Sequence, residues 1–440
     1  MTTETTISFP DFATGPWRGE EAAPQPDPAP APPRVAPRPL RVALFSGNYN
    51  CIRDGANQAL NRLVAFLLQK PQVDVRIYSP TVRSPAFPPV GTLVSVPSLP
   101  IPGRGEYRVA LGLLPSVRRD LAHFRPDIIH LSAPDLLGRM AQKYARRRGI
   151  PVIASLHTRF ETYFDYYGLG FLKHTIERYL DRFYRDCQHV LVPNRAIAGE
   201  FAERGMRRSV GIWGRGVDRD IFTPARRDAH WRASLGYRPD ETVVLFFGRL
   251  VREKGTGMFC RVIEEAQARG HALRPLIVGD GPERKAMEQR LPQARFTGHL
   301  AGADLGRAVA SADIFLNPSL TEAFGNVTLE AMAAGVPIVS AAAASAQALV
   351  DDGRSALLVP PTDPRAYADA LERLIADRAL RQRLAQAAQA DAQAHSWEAT
   401  LEPVFALYQA CLQPAATPLP AARPGGQAPA PLRSLNSARQ

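Results

Sequence analysis

Short apolar runs alternate with longer amphipathic stretches along the middle of this 440-residue chain, and the alternation occurs twice. In the first half the runs are Arg41–Ser46, Val73–Tyr78, Ile128–Leu131, Val152–Leu156 and Val190–Pro193. Between them Ala56–Leu68 and Ala141–Arg148 have helical periodicity. The second half repeats the scheme with Val243–Gly248, Leu276–Gly279, Ala294–Thr297, Ile314–Asn317, Pro337–Ser340 and Ala356–Val359. Strand, helix, strand in repetition builds a parallel sheet with both faces covered, so the fold class is α/β. The pattern predicts two doubly wound domains, 40–213 and 214–395, hinged near Trp213–Phe222, with 396–413 as a helix packing back on the first domain. In open parallel sheets ligands lie beyond the carboxyl ends of the strands, so a cleft between facing domains is the expected site.

The flanks have a different composition. Ala22–Pro39 alternates Pro with Ala, and Pro414–Gln440 is similar. Neither stretch can bury a core, so 1–39 and 414–440 are expected to be disordered tails. Hydrophobic residues make up 45% and charged residues 22% of the chain, which suits a globular protein. No apolar run approaches the ~18 residues that would span a bilayer. MTTETTISFPDF lacks the basic and apolar regions of a signal peptide, so a cytoplasmic location is expected. Cys51, Cys187, Cys260 and Cys411 are scattered and read as reduced thiols without a metal role.

Charge is unevenly placed. Residues 40–213 hold 25 basic against 13 acidic side chains, a net of +12, whereas 214–413 hold 23 against 24. The first domain is therefore expected to meet an anionic partner, a membrane surface or a nucleic acid. Arg118-Arg119, Lys143, Arg146-Arg147-Arg148 and Arg204-Arg207-Arg208 are its cationic clusters, and Tyr107–Phe124 mixes Val109, Leu111, Leu113 and Leu114 with arginines. Solvated helix faces with cations at helix C-termini would give the same pattern. No nucleic-acid-binding module accompanies the charge, which favours the membrane.

Three strand-end elements carry chemistry. In Asn317–Glu330 a strand ends, a loop follows, and a helix is expected to begin near Phe324–Gly325, with Glu322 on the loop and Glu330 two turns into the helix. Free N–H groups at a helix start suit a diphosphate, and the two carboxylates could reach sugar and ribose hydroxyls. A helix cap and a solvated charge would read the same way. In Phe247–Gly255 a strand delivers Arg249 and, five residues on, Lys254, a pair that could clamp a pyrophosphate or simply face solvent. Gly279-Asp280-Gly281-Pro282 is a further strand-end turn.

In this order, G-R-x-x-x-x-K-G, G-D-G-P and E-x7-E resemble the donor-binding half of retaining glycosyltransferases of the GT-B fold, family 4. The resemblance continues through Gly335-Val336-Pro337 and Leu358–Pro361 and spans Arg41 to about Leu412. It implies two Rossmann-like domains, a nucleotide diphosphate sugar as donor, and no cofactor or metal. It assigns Arg249 and Lys254 to the diphosphate, Glu330 to the ribose, Glu322 to the transferred sugar, and Phe324, Gly325, Asn326 and Val327 to the sugar and phosphates. Gly281 belongs to the donor turn. His157, in Leu156-His157-Thr158, matches the active-site histidine. The loop Arg53-Asp54-Gly55-Ala56-Asn57 resembles the glycine-rich loop near the phosphates, with Gly55 kept and Ala56 where many members have glycine. The resemblance further implies front-face attack without a protein nucleophile.

Asp218-Arg219-Asp220 fits a metal-binding D-x-D, but it lies in Gly214–Asp218, which looks like the interdomain loop of this family. Ile212–Asp218 looks closest to GDP-mannose-dependent mannosyltransferases and glycolipid synthases such as sulfoquinovosyl-diacylglycerol synthases. A hexosyl donor follows, GDP-mannose before a UDP-hexose, with a membrane lipid as acceptor. The basic side chains Arg118, Arg119, Arg146, Arg147 and Arg148 then serve the membrane or acceptor side, giving peripheral attachment at the cytoplasmic face. A soluble saccharide acceptor, or a catalytically silent sugar-nucleotide-binding scaffold, are the alternatives.

Overall fold

Alternate residues of the strand Leu40–Phe45 enter different apolar clusters, Val42 and Leu44 one, Ala43 and Phe45 the other. A strand that is apolar toward both faces needs cover on both, and helix layers on a parallel sheet supply it. The computed structural model describes residues 38–101, 104–157, 173–206 and 210–412, the side chains of 104–106 and 173 excepted. Of the expected tails at 1–39 and 414–440, residues 1–37 and 414–440 lie outside the described residues, as do Thr158, Arg207 and Arg208.

The first lobe contains β1 (Leu40–Phe45), β2 (Val73–Ser79), β3 (Thr92–Ser95), β4 (Ser98–Ile101), β5 (Arg104–Ala110), β6 (Ile128–Leu131), β7 (Val152–Ser155), β8 (His189–Val192) and β9 (Val210–Ile212). Seven of these described strands form one parallel sheet in the order β3-β2-β1-β6-β7-β8-β9, while β4 and β5 form a separate antiparallel hairpin. The second lobe contains β10 (Thr242–Phe247), β11 (Leu273–Val278), β12 (Arg295–Gly298), β13 (Ile314–Asn317), β14 (Ile338–Ala341) and β15 (Leu357–Val359). They pair in parallel in the order β12-β11-β10-β13-β14-β15. Val243, Leu245 and Phe247 of β10 face one apolar cluster and Val244 and Phe246 the other, as in β1. Both sheets reverse their winding beside the central strand, between β1 and β6 and between β10 and β13, and these switch points are where ligands enter doubly wound sheets.

Three features that the sequence reading did not give have physical causes. The strands β3 and β9 are edge strands with much exposed surface, so they lack a long apolar run. The stretch Tyr107–Phe124 divides into the end of β5 and a helix, Pro115–Phe124, opened by proline at its first turn. The helix read from Ala141 begins earlier, at Leu136, because the Asp135 carboxylate accepts a hydrogen bond from Gly138 N (2.7 Å) and caps it.

Two chain segments join the lobes side by side. Val217 N donates to His395 O (3.0 Å), and a Cβ at Gly216 would stand 2.4 Å from Trp397 N. Beyond this crossing the helix Trp397–Leu412 lies on the first sheet, where Leu401, Val404 and Tyr408 share the cluster of Val42 and Leu44. No described helix is long and apolar enough to cross a membrane.

Candidate active site

The carboxyl ends of β10 and β11 meet in a backbone crossing that only glycine permits. Gly248 N donates to Val278 O (3.0 Å) and Leu250 N to Asp280 O (2.9 Å). A Cβ at Gly279 (φ +140°) would stand 1.9 Å from Gly248 O, and one at Gly281 would stand 2.3 Å from Leu250 O. Gly281 does not line the cleft, and its glycine is required by this crossing. The crossing fixes the backbone at Arg249, and a single 3-10 turn, Arg252–Lys254, then brings Lys254 back toward the same opening. Gly255 (φ +76°) ends that turn against Pro318 O, where a Cβ would stand at 2.7 Å.

Lys254 and Glu322 meet there. The Lys254 Nζ donates to Glu322 Oε1 at 2.6 Å, with both side chains partly buried. Gly325 (φ 102°) turns the chain into the helix Asn326–Ala333, whose N-cap supplies no side-chain acceptor. Its first amides are therefore left for another acceptor. Glu330 is the fifth residue of this eight-residue helix, a little over one turn in and nearer the mouth than the sequence reading placed it. Burial, and then the Glu322 carboxylate, push its carboxyl up to about 8.

The facing wall comes from the first lobe. The Asp54 carboxylate accepts from Asn57 N (2.8 Å) and caps the helix Gly55–Leu68, whose N-terminus points at the opening. A Cβ at Gly55 would stand 2.3 Å from Asn326 Nδ2, so the glycine at this position lets the two lobes approach each other. Burial raises the Asp54 carboxyl against the opposing pull of Arg249 and Lys254. Tyr107, on the hairpin strand β5, accepts a 3.2 Å hydrogen bond from Arg249 Nη1 across the gap.

His157 follows β7 and belongs to a buried chain of polar groups. Arg215 Nη2 donates to His157 Nδ1 (2.7 Å), and a guanidinium can only donate, so the proton of the imidazole sits on Nε2. Nε2–H donates to Ser155 Oγ (2.8 Å), which also hydrogen-bonds His130 Nε2 (2.7 Å), and His130 Nδ1 hydrogen-bonds Tyr408 Oη (2.5 Å). Both imidazoles are neutral: burial lowers His130 to about 3, and burial, then Arg215, hold His157 well below its usual range. Both nitrogens of His157 are thus engaged, and its Nδ1 holds the Arg215 side chain in place. Asp54 and Arg215 were not singled out by sequence reasoning. The signal for Arg215 was a lone cation between two glycines, Gly214 and Gly216, immediately after a tryptophan.

Between these walls lies a cleft of about 520 Å³. It brings together Gly55, His157, Arg249, Lys254, Glu322, Phe324, Gly325, Asn326, Val327 and Glu330. Such a constellation can bind a diphosphate between cations and helix amides while carboxylates hold hydroxyl groups.

Comparison with known proteins agrees with this geometry. Residues 53–221 match the family model described as Glycosyltransferase Family 4, and residues 241–377 match that for Glycosyl transferases group 1. A GDP-mannose-dependent alpha-mannosyltransferase of Mycolicibacterium smegmatis is 33% identical over 66% of this chain and 76% of its own length. The chain belongs to glycosyltransferase family 4. A second GDP-mannose-dependent alpha-mannosyltransferase, from Corynebacterium glutamicum, is 29% identical over 82% of this chain and 87% of its own length. The sulfoquinovosyl transferase SQD2 of Arabidopsis thaliana is 30% identical over 69% of this chain, and the match spans 60% of that protein's length. Sucrose-phosphate synthase from Thermosynechococcus elongatus has the same GT-B fold, with a TM-score of 0.68 at 21% identity over 84% of this chain and 98% of its own.

In this family 4 glycosyltransferase the cationic side chains of the first lobe do not form one surface. Arg118 and Arg119 are exposed in the first turns of the helix Pro115–Phe124, just after the hairpin. Arg146, Arg147 and Arg148 are exposed too, but they end the helix Leu136–Arg146, which leaves the carboxyl end of β6 and returns to the amino end of β7. That places them at the end of the sheet opposite the cleft. Asp218 of the D-x-D pairs with Arg62 (3.3 Å) and accepts from Asp220 N (3.2 Å).

Proposed function

We propose that this protein is a retaining, metal-independent hexosyltransferase that moves mannose from GDP-mannose, in preference to a UDP-hexose, onto a membrane lipid. The observation that carries the reading is the 2.6 Å Lys254–Glu322 pair beside the uncapped helix Asn326–Ala333. A bound donor would divide that pair: its diphosphate takes Lys254 and Arg249, and a hydroxyl of its sugar takes Glu322. Glu330 would receive the ribose hydroxyls, where a neutral carboxyl can donate as well as accept. In the transfer step the bond from the anomeric carbon to the diphosphate oxygen breaks, and the bond to the acceptor oxygen forms on the same face. The departing diphosphate takes the acceptor proton, so no protein base is needed. Cations and amides fixed around the leaving group lower the barrier without reorganisation.

Relatives that use GDP-mannose support the donor, and the names of the glycolipid-forming relatives support the acceptor. The alpha-monoglucosyldiacylglycerol synthase of Acholeplasma laidlawii is one, 22% identical over 72% of this chain. Donor turnover with GDP-mannose, UDP-glucose and UDP-galactose, in EDTA, tests the reading. GDP-mannose consumption is expected, while turnover of UDP-sugars alone, or loss of activity to EDTA, overturns it. Lys254→Ala should lower turnover on the order of a hundredfold or more with the melting temperature unchanged. Mass spectrometry of lipid extracts from cells with and without the protein identifies the product.

A further inference from the structure

Arginine is rarely buried without a partner, because taking its charge out of water is costly unless a counter-charge offsets it. Arg232 is 6% exposed and pairs with Asp313 at 2.9 Å. Arg215 is more deeply buried, at 3%, yet its hydrogen-bond acceptors are neutral: Trp213 O (3.3 Å), Gly214 O (3.0 Å) and His157 Nδ1 (2.7 Å). Those bonds use three of the five guanidinium N–H groups, and the side chain lines the cleft.

The cleft is lined by the cations Arg53, Arg62, Arg249 and Lys254 and by the carboxylates Asp54, Asp218, Asp280 and Glu322, with Glu330 beside them, its carboxyl pushed up to about 8 by burial and Glu322 and so uncharged at neutral pH. These groups cancel. A cleft with only them would offer a doubly charged diphosphate no net attraction, and Arg215 supplies the excess positive charge. It also stands in the right place, since Asp54 interacts electrostatically with Arg215, Arg249 and Lys254 alike. The three cations therefore line one cleft near Asp54, two from the second lobe and one from the loop joining the lobes.

We propose that Arg215, held by His157, is a third cation for the diphosphate of the donor, binding its sugar-bearing phosphate together with Arg249 and Lys254. The proposal rests on the donor reading above and deepens it. It gives the polar chain His157–Ser155–His130–Tyr408 behind the cleft a role: Ser155 Oγ accepts from His157 Nε2–H and anchors the imidazole, whose Nδ1 accepts from Arg215 and aims it. His157, Ser155 and His130 are in this sense positioning residues. Burial weakens the grip of Arg215 on its own proton, to about 10, which still leaves it charged at neutral pH.

The test is calorimetric titration of the full-length wild type, Arg215→Gln and Arg215→Lys with GDP and GMP, and with UDP and UMP in parallel. For Arg215→Gln the diphosphate should bind at least about tenfold more weakly while the monophosphate changes less than about twofold. Arg215→Lys, which keeps the charge without the planar fork, should show an intermediate, diphosphate-only loss. Should Arg215→Gln fail to fold, that selective loss in Arg215→Lys decides the matter. Equal loss for mono- and diphosphates would show that Arg215 only shapes the loop, and no loss would show that it does not meet the ligand. Either result overturns the proposal. If the wild type itself binds no nucleoside diphosphate, the donor reading fails instead, so the two failures are distinct.

Discussion

Burial and the neighbouring Glu322 carboxylate raise the Glu330 carboxyl to about 8, from 4.5 in an unfolded chain, and this has a thermodynamic consequence. A carboxyl whose folded pKa is raised is protonated more readily in the folded state, so folding is undisturbed below about 4.5. As pH rises from there toward 8, the folded protein must either keep a proton that the unfolded chain has lost or bury a charge. Glu330 therefore costs increasing stability over that window and a constant amount above it. Glu330→Gln, which removes the ionisation, is expected to melt with the wild type near pH 4.5 and progressively above it up to pH 8. Melting curves across that range check this, and a difference independent of pH would contradict it. The spacing of Glu322 and Glu330 was legible in the sequence because it is a local pattern at a strand end. The depth of Glu330, and the existence of Arg215 as a cleft residue, were not. Charged residues carry no sequence signal of burial, and the place of Arg215 depends on how the loop joining the lobes meets His157.

Strands and their loops were read well where both faces of a strand are apolar, as in β1, β10 and β13, because burial on two sides leaves a continuous run. The edge strands β3 and β9 and the proline-containing hairpin β4–β5 escaped, since an edge needs cover on one side only and proline conceals strand propensity. The strand-end turns were seen as glycine motifs, but their structural reason lies in the pairing of β10 with β11. Gly279 sits in the left-handed region with Gly248 O where its Cβ would be, so substitution must separate two loops that share three backbone hydrogen bonds. Gly279→Ala should cost roughly 2–4 kcal/mol, from overpacking plus backbone strain. Urea unfolding should show a lower midpoint at an unchanged slope. Donor affinity should fall as well, because the same crossing sets the position of Arg249.

At the scale of the whole molecule, the charge asymmetry between the lobes acquires a geometry. The basic first lobe divides into a far end, carrying Arg146–Arg148, and a cleft side, where Arg118 and Arg119 follow the hairpin. Among the described residues the second region combines charge with exposed apolar surface: Leu99 is 59% and Val109 51% exposed on the hairpin, and Leu111 and Leu114 are exposed just after it. Exposed apolar side chains rimmed by arginine suit insertion into the headgroup boundary of an anionic bilayer, and the hairpin touches Arg249 through Tyr107. A lipid acceptor arriving there would be delivered to the cleft. Each leucine or valine transferred into the bilayer boundary contributes roughly 1.5–3 kcal/mol, so removing two should weaken partitioning by more than tenfold. The double variant Leu99→Ser, Val109→Ser is therefore expected to lose most co-sedimentation with vesicles containing phosphatidylglycerol. Arg118→Gln with Arg119→Gln should lose the salt-dependent part, at about 1 kcal/mol for each charge. Neutralising Arg146, Arg147 and Arg148 together should change binding little, because those side chains face away from the cleft end. If that triple variant proves the weakest binder, the membrane meets the opposite end of the lobe and the route from bilayer to cleft is wrong.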